Sequence, residues 1–210
     1  MVGWAAEGAA ATFIGLRVGN AWVQLGGLAL WGMAALRLSD GYFDTPAGFV
    51  AIFNKRAAAT AFVGALGYVL AWMFARHRGD GLHAGRIRAG LHVAVSLLTV
   101  LWITAEVGSY WTIRYETPQA YLYEQLFLSL GWGLYGALLI VIGMRRRYAP
   151  DRYIGITVLA ITVLKVFFYD LWQLGGIYRV VGFIVVGVLL LAVSFLYQRT
   201  RTPRVPTASE

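Results

Sequence analysis

Apolar residues in this chain come in long runs rather than in alternation with polar ones. Six stretches, approximately 20–38, 56–75, 88–108, 124–144, 153–171 and 177–198, stay apolar for about twenty residues each. That is the length of helix needed to cross a hydrocarbon core roughly 30 Å thick. Lipid offers no partner to backbone amides, so a crossing segment must satisfy them within a helix or a closed barrel. A barrel needs short alternating strands, and the fifth and sixth stretches continue far beyond strand length. The pattern predicts an all-α, polytopic transmembrane bundle of about six spanning helices.

The first stretch is the most interrupted. Residues 9–16 are also apolar, but Arg17, Asn20 and Gln24 break the run between them and the rest of the stretch. The reading favoured here is an interfacial helix over 9–16, with part of a span as its alternative. No Pro- or Ser-rich linker divides the chain, which predicts one transmembrane domain over 1–198. Residues 199–210, rich in Arg, Thr and Pro, read as a disordered basic tail.

Composition strengthens the membrane reading. Only 13% of residues are charged and 59% are hydrophobic, where soluble domains carry about 25% charge. Mean hydropathy is +0.64. Eight Trp and twelve Tyr suit interfaces that favour amphipathic rings. With no cysteine, thiolate chemistry, disulfides and Cys-based metal sites are excluded. The first sixteen residues lack a basic start and carry Glu7, so a cleavable signal is not expected.

Charge position then sets the orientation. Arg17, Arg76, Arg78, Arg86, Arg88, Arg145, Arg146, Arg147, Arg152, Arg199, Arg201 and Arg204 fall at one end of the proposed spans. The other end holds Arg37, Lys55, Arg56, Arg114, Lys165 and Arg179, balanced by six carboxylates. Twelve basic residues against six put the first end in the cytoplasm, with both termini on that side. The pI near 10.0 then reflects topology and contact with lipid headgroups. No recognition module accompanies the charge, so no nucleic-acid partner is expected.

Ionisable residues in spans are costly and usually face the bundle interior. Glu106, Glu124, Lys165, Asp170 and Arg179 form a candidate charged network toward the less basic, outer end, where Lys55 and Arg56 also lie. On an ideal helix Lys165 and Asp170 stand about 140° apart. Lys165 is therefore expected to pair with Glu106 or Glu124, or to snorkel along Tyr169 and Trp172. Asp170 and Arg179 each carry the wrong sign for their helix end, and Gly175-Gly176 can bring them together as a hairpin salt bridge. Tyr110, Trp111, Tyr115, Tyr121, Tyr123, Tyr169, Trp172 and Tyr178 around this layer read as an aromatic belt.

Other chemistry is sparse. His77 and His83 fall in a basic loop, and His92, one turn into the third stretch, can reach a helix neighbour or headgroups. Bis-His haem ligation needs two histidines within the bilayer, and only His92 qualifies. No metal-ligand spacing or phosphate-cradling loop is present, so no catalytic residue, cofactor or metal is assigned. Gly131, Gly133 and Gly136 read as close helix packing.

The segment "RYIGITVLAITVLKVFFYDLWQLGGIYRVVGFIVVGVLLLAVSFLYQR", Arg152 to Arg199, resembles the C-terminal region of a bacterial family of large predicted multi-spanning membrane proteins of unknown function. "LSLGWGLYGALLIVIGMRRR", Leu128 to Arg147, is similar to the preceding span, and "FNKRAAATAF" is a fainter echo. Lys165, Asp170, Arg179 and Tyr197-Gln198-Arg199 carry the likeness. Family members are typically longer, and the resemblance implies a bacterial envelope membrane protein without an established reaction. The expected role is a non-enzymatic subunit or scaffold in the bacterial inner membrane, with lipids and another membrane subunit as partners. A transporter or lipid- or glycan-handling protein is the alternative. A membrane-embedded transferase using Glu106 or Asp170 is the third reading.

Overall fold

The computed structural model describes residues 2–42, 49–76, 81–114 and 118–170, together with 184, 187, 188 and 191. Among the described residues six α-helices run in order: α1 (Val2–Val18), α2 (Ala21–Asp40), α3 (Lys55–Arg76), α4 (Gly81–Arg114), α5 (Pro118–Arg145) and α6 (Ala149–Lys165). No strand occurs among the described residues. Among the described residues four helical segments, Lys55–Arg76, Ala84–Ile113, Ala120–Arg145 and Ala149–Tyr169, are long and apolar enough to cross a membrane. Five of the six predicted stretches fall on α2 to α6. The sixth, 177–198, lies outside the described residues apart from four helical positions.

The chain forms two compact units, Met1–Ala160 and Ile161–Glu210. In the first, α1 packs on α2 and α3, α2 on α3 and α4, and α3 and α5 on α4. Helices consecutive in the chain run antiparallel. Arg56 near the start of α3 meets Glu106 late in α4, and Trp31 Nε1 donates to Val63 O at 3.0 Å. The core joins Trp31, Ala34 and Leu38 to Val63, Leu70, Phe74, Leu91, Val95 and Leu98. Large apolar side chains also face outward around the helices, among them Leu97, Leu134 and Leu138. Exposed apolar surface of this extent suits lipid, not water.

The largest departure from expectation is α1. Gly19 at φ 72° ends it, Asn20 N bonds back to Gly15 O at 3.0 Å, and the Asn20 side chain accepts from Trp22 N at 2.9 Å to start α2. Glycine fits the left-handed position such a helix end requires, and Asn is a strong N-cap. The chain therefore reverses within two residues. Ala5, Gly8, Thr12 and Gly15 are the buried residues of α1, small side chains at 3-4-3 spacing on one face. A Cβ on Gly8 would sit 2.7 Å from Gly27 O, so the two backbones touch. In lipid, where apolar burial drives little, such close contact is a main source of helix association.

This hairpin differs from a surface-lying helix over 9–16 beside a spanning 20–38. The two helices share one axis direction, and the Val2 end of α1 lies at the Arg56 end of the bundle. The expectation that the first residues sit with the basic end is thereby overturned, because a full helix separates them from Arg17. The interruption at 17–24 is a turn and an N-cap.

Candidate functional site

Two buried polar nodes lie at opposite ends of α3 and α4. At the first, Arg56 donates from Nε to Glu106 Oε1 at 3.1 Å, and Nη2 lies 3.1 Å from the same oxygen as the second contact of the ion pair. Nη2 also donates to Ala105 O and Ser109 Oγ at 3.1 Å, and Nη1 to Tyr42 O at 3.4 Å. Glu106 Oε2 accepts from Ile52 N at 3.0 Å, and Asn54 Nδ2 reaches both carboxylate oxygens at 2.9 and 3.0 Å. The Arg56 and Glu106 side chains are only 5% and 8% exposed. Removing two charges from water costs several kcal/mol per ion, roughly, and this dense donor set is what offsets it.

Tyr42 and Thr60 extend the node. Thr60 Oγ1 donates to Arg56 O at 2.8 Å, so the 2.6 Å contact with Tyr42 uses the tyrosine proton. Burial pushes the Tyr42 phenol up, while the Arg56 cation pulls it partly back.

The carboxylate also shapes the segment before α3. Ile52 has φ 68°, a left-handed conformation that is an outlier for a β-branched residue. Its N–H is the one held by Glu106. The Ile52 and Phe53 side chains project outward, Phe53 being 86% exposed. They form a lip over a groove of about 1290 Å³ that runs between α3 and α4. Asn54, Lys55, Ala58, Ala61, Gly64, Ala65 and Tyr68 line one wall, and Val95, Thr99 and Trp102 the other. Among these lining residues Lys55 is the sole ionisable group apart from the Tyr68 phenol.

At the opposite end, His92 Nδ1 and Asp151 Oδ1 lie 2.5 Å apart, their side chains 8% and 5% exposed. The imidazole packs edge-on to Tyr68, centroids 5.3 Å apart, and against Tyr148 at 4.8 Å. Arg88, one turn before His92, stacks on the Tyr148 ring at 4.0 Å. Asp151 in the first turn of α6 also has the sign a helix N-terminus favours. His92, Ser96, Thr99 and Glu106 recur at helical spacing on α4, a polar stripe that joins the nodes over about 21 Å.

The sequence-derived network is thus partly redrawn. Glu106 is buried as expected, but its cation is Arg56. Glu124 lies against α4, its Oε1 3.5 Å from where a Cβ on Gly108 would stand. In the second unit, Lys165 Nζ lies 5.7 Å from the Tyr169 ring centroid. A π-helical turn over Val166–Asp170 replaces the last α turn. Its i→i+5 bonding removes the ideal-helix premise behind a 140° separation of positions 165 and 170. Arg179, the Asp170 side chain and the proposed bridge between them lie outside the described residues.

Sequence reasoning missed three participants. Arg56 was visible as a basic residue beside Glu106's level, yet nothing in a 50-residue separation names the pair. Asp151 lies in sequence among Arg145–Arg147 and Arg152, where a carboxylate draws no attention, and is 4% exposed. Asn54 carried no charge to draw attention. Of the glycines expected at helix contacts, Gly136 lies on Gly155 O and Gly131 on Ile103, while Gly133 faces open space. No group of three or more His, Asp or Glu able to hold a metal occurs among the described residues.

Long apolar helices, lipid-suited outer faces and buried polar contacts between helices define a polytopic helical membrane protein. The chain belongs to the DUF2339 family of predicted membrane proteins, whose family model matches residues 1–200. No curated protein and no solved structure matches it.

Proposed function

We propose that the protein is a non-enzymatic subunit or scaffold of a membrane assembly in the bacterial inner membrane, its Arg-rich end toward the cytoplasm. The observation that carries this reading is the use made of Arg56, Glu106, His92 and Asp151. Each is engaged in a buried contact that ties helices together, and the lining of the groove beside them contains no carboxylate and no histidine. An acid–base enzyme needs such groups within reach of a substrate. Glu106, the acid or base of the transferase reading, already accepts bonds on both oxygens.

The orientation is supported by the gathering of Arg76, Arg145, Arg146, Arg147 and Arg152 at one end of the antiparallel helices. A test is purification of the tagged chain from its native membrane in mild detergent, followed by native mass measurement. The subunit reading expects a second membrane protein at constant stoichiometry through successive columns. A chain that stays alone at native expression level overturns it.

A transporter is the second reading, favoured by the polar stripe on α4. It expects Thr99→Val or Ser96→Ala to change flux in reconstituted vesicles without loss of folded protein. Equal flux in the variants and the parent rejects it.

A further inference from the structure

We propose that the α3–α4 groove is a binding site for one acyl chain of an anionic phospholipid, with Lys55 holding its phosphate. This goes beyond the subunit reading and stands without it. Three independent features meet here. The groove is long: from Lys55 to Tyr68 it spans thirteen residues of α3, about 20 Å, against the roughly 15 Å that one leaflet of a 30 Å core provides. Its walls are Ala57, Ala58, Ala61, Gly64, Ala65 and Val95 for most of that length, so a flexible chain meets methyl groups and few donors. At about 1290 Å³ it exceeds the 300–1,000 Å³ typical of compact small-molecule pockets.

The second feature is charge. Lys55 lines the mouth and is exposed, while its neighbour Arg56 is buried on Glu106. The node therefore neutralises one of two adjacent cations and leaves the other beside the groove. A cation in the first turn of α3 is opposed by the helix dipole, so its placement brings no gain to the helix itself. A phosphate at the mouth supplies the missing counter-charge.

The third is the strained lip. The left-handed Ile52 conformation, fixed through its N–H on Glu106, sets Ile52 and Phe53 beside Lys55 as two exposed apolar side chains. Strain of this kind persists only where surrounding contacts hold it. Here it produces an apolar rim next to a cation, the two chemistries of a phospholipid at its headgroup–chain junction.

The test uses the full-length protein in mild detergent, delipidated and then titrated with phosphatidylglycerol or with phosphatidylcholine of the same chains, read by native mass spectrometry. Retention of one phosphatidylglycerol, with weaker retention of phosphatidylcholine, is expected. Lys55→Met should lower phosphatidylglycerol affinity about fivefold, the contribution of one lysine at an anionic surface, and phosphatidylcholine, whose choline offsets the phosphate, by less. Ala61→Phe, at an exposed position where the added ring meets the groove and not the core, should abolish retention of both.

A second measurement guards against a misfolded variant. Phosphatidylglycerol brominated along its chain should quench a part of the tryptophan fluorescence that disappears in Trp102→Phe, because Trp102 forms the groove wall. Equal retention of both lipids overturns the role of Lys55. Unchanged retention in Ala61→Phe, or quenching that persists in Trp102→Phe, overturns the groove as the site. A stoichiometric protein helix cross-linked to Ala61 in the native membrane, in place of lipid, overturns the occupant.

Discussion

Arg56 and Glu106, fifty positions apart in the chain, meet through two contacts of 3.1 Å in a setting almost closed to solvent. Breaking such a pair leaves an uncompensated buried charge, which costs about 3–5 kcal/mol, whereas an apolar replacement of both partners is often neutral. Arg56→Met and Glu106→Gln should each lower the unfolding midpoint in detergent sharply. The double variant should be less destabilised than the sum of the two. Additive losses would show that the two side chains act separately.

Ile52 offers a test of strain rather than of charge. Glycine takes up a left-handed φ freely, whereas a β-branched residue there costs about 1–2 kcal/mol. After the extra chain entropy of glycine, Ile52→Gly should stabilise the protein by up to ~1 kcal/mol. Ile52→Val keeps the branch and should bring no gain. Thermal unfolding of both variants distinguishes them, and a destabilised Ile52→Gly would mean that the Ile52 side chain has a packing role.

The α1–α2 hairpin can be tested at two adjacent glycines. A Cβ on Gly27 would press on the backbone of Thr12 and on Gly8 O, whereas Gly26 faces nothing within 4 Å. Gly26→Ala should be neutral or stabilising by up to about 1 kcal/mol from helix propensity alone. Gly27→Ala should be destabilising by several times that amount, since the opposing backbone cannot move aside without parting the helices. Proteolysis between α1 and α2 gives an independent readout of the parted hairpin.

These residues also mark what the sequence could tell. Length and apolarity made α2 to α6 legible as helices, and α3 to α6 are long and apolar enough to cross lipid, where a helix satisfies its own backbone. The turn after α1 was not, since Gly19-Asn20 is a two-residue signal and Arg17 and Gln24 resemble an interruption. Glu106 stood out as a carboxylate in an apolar run. Its partner did not, because Arg56 opens a helix where a basic residue reads as an interfacial anchor. Asp151 was hidden in the same way: among Arg145–Arg147 and Arg152 it looks solvated. Only the closure of the Arg147 turn, with φ 51° and Tyr148 N on Gly143 O at 2.9 Å, folds it back toward His92. The helices were written in local pattern, whereas the nodes depended on which helices became neighbours.

Tyr148, in that same turn, gives a dependence on pH. Burial pushes its phenol above the ordinary range, the Arg88 cation on its ring pulls it partly back, and Asp151 adds to the rise. The folded protein therefore keeps this proton to a higher pH than the unfolded chain, whose tyrosines titrate near about 10. The stabilising contribution is complete below that value and is lost as pH rises through the folded value. Phenolate absorbance of the folded protein, compared with Tyr148→Phe, should differ by one step lying above the free-tyrosine position. Arg88→Met should move that step higher still, as it removes the cation that favours the phenolate. A step at or below the free-tyrosine position in the parent would show that the Tyr148 ring is solvated, and that the Arg88–Tyr148–His92 stack does not close this end of the bundle.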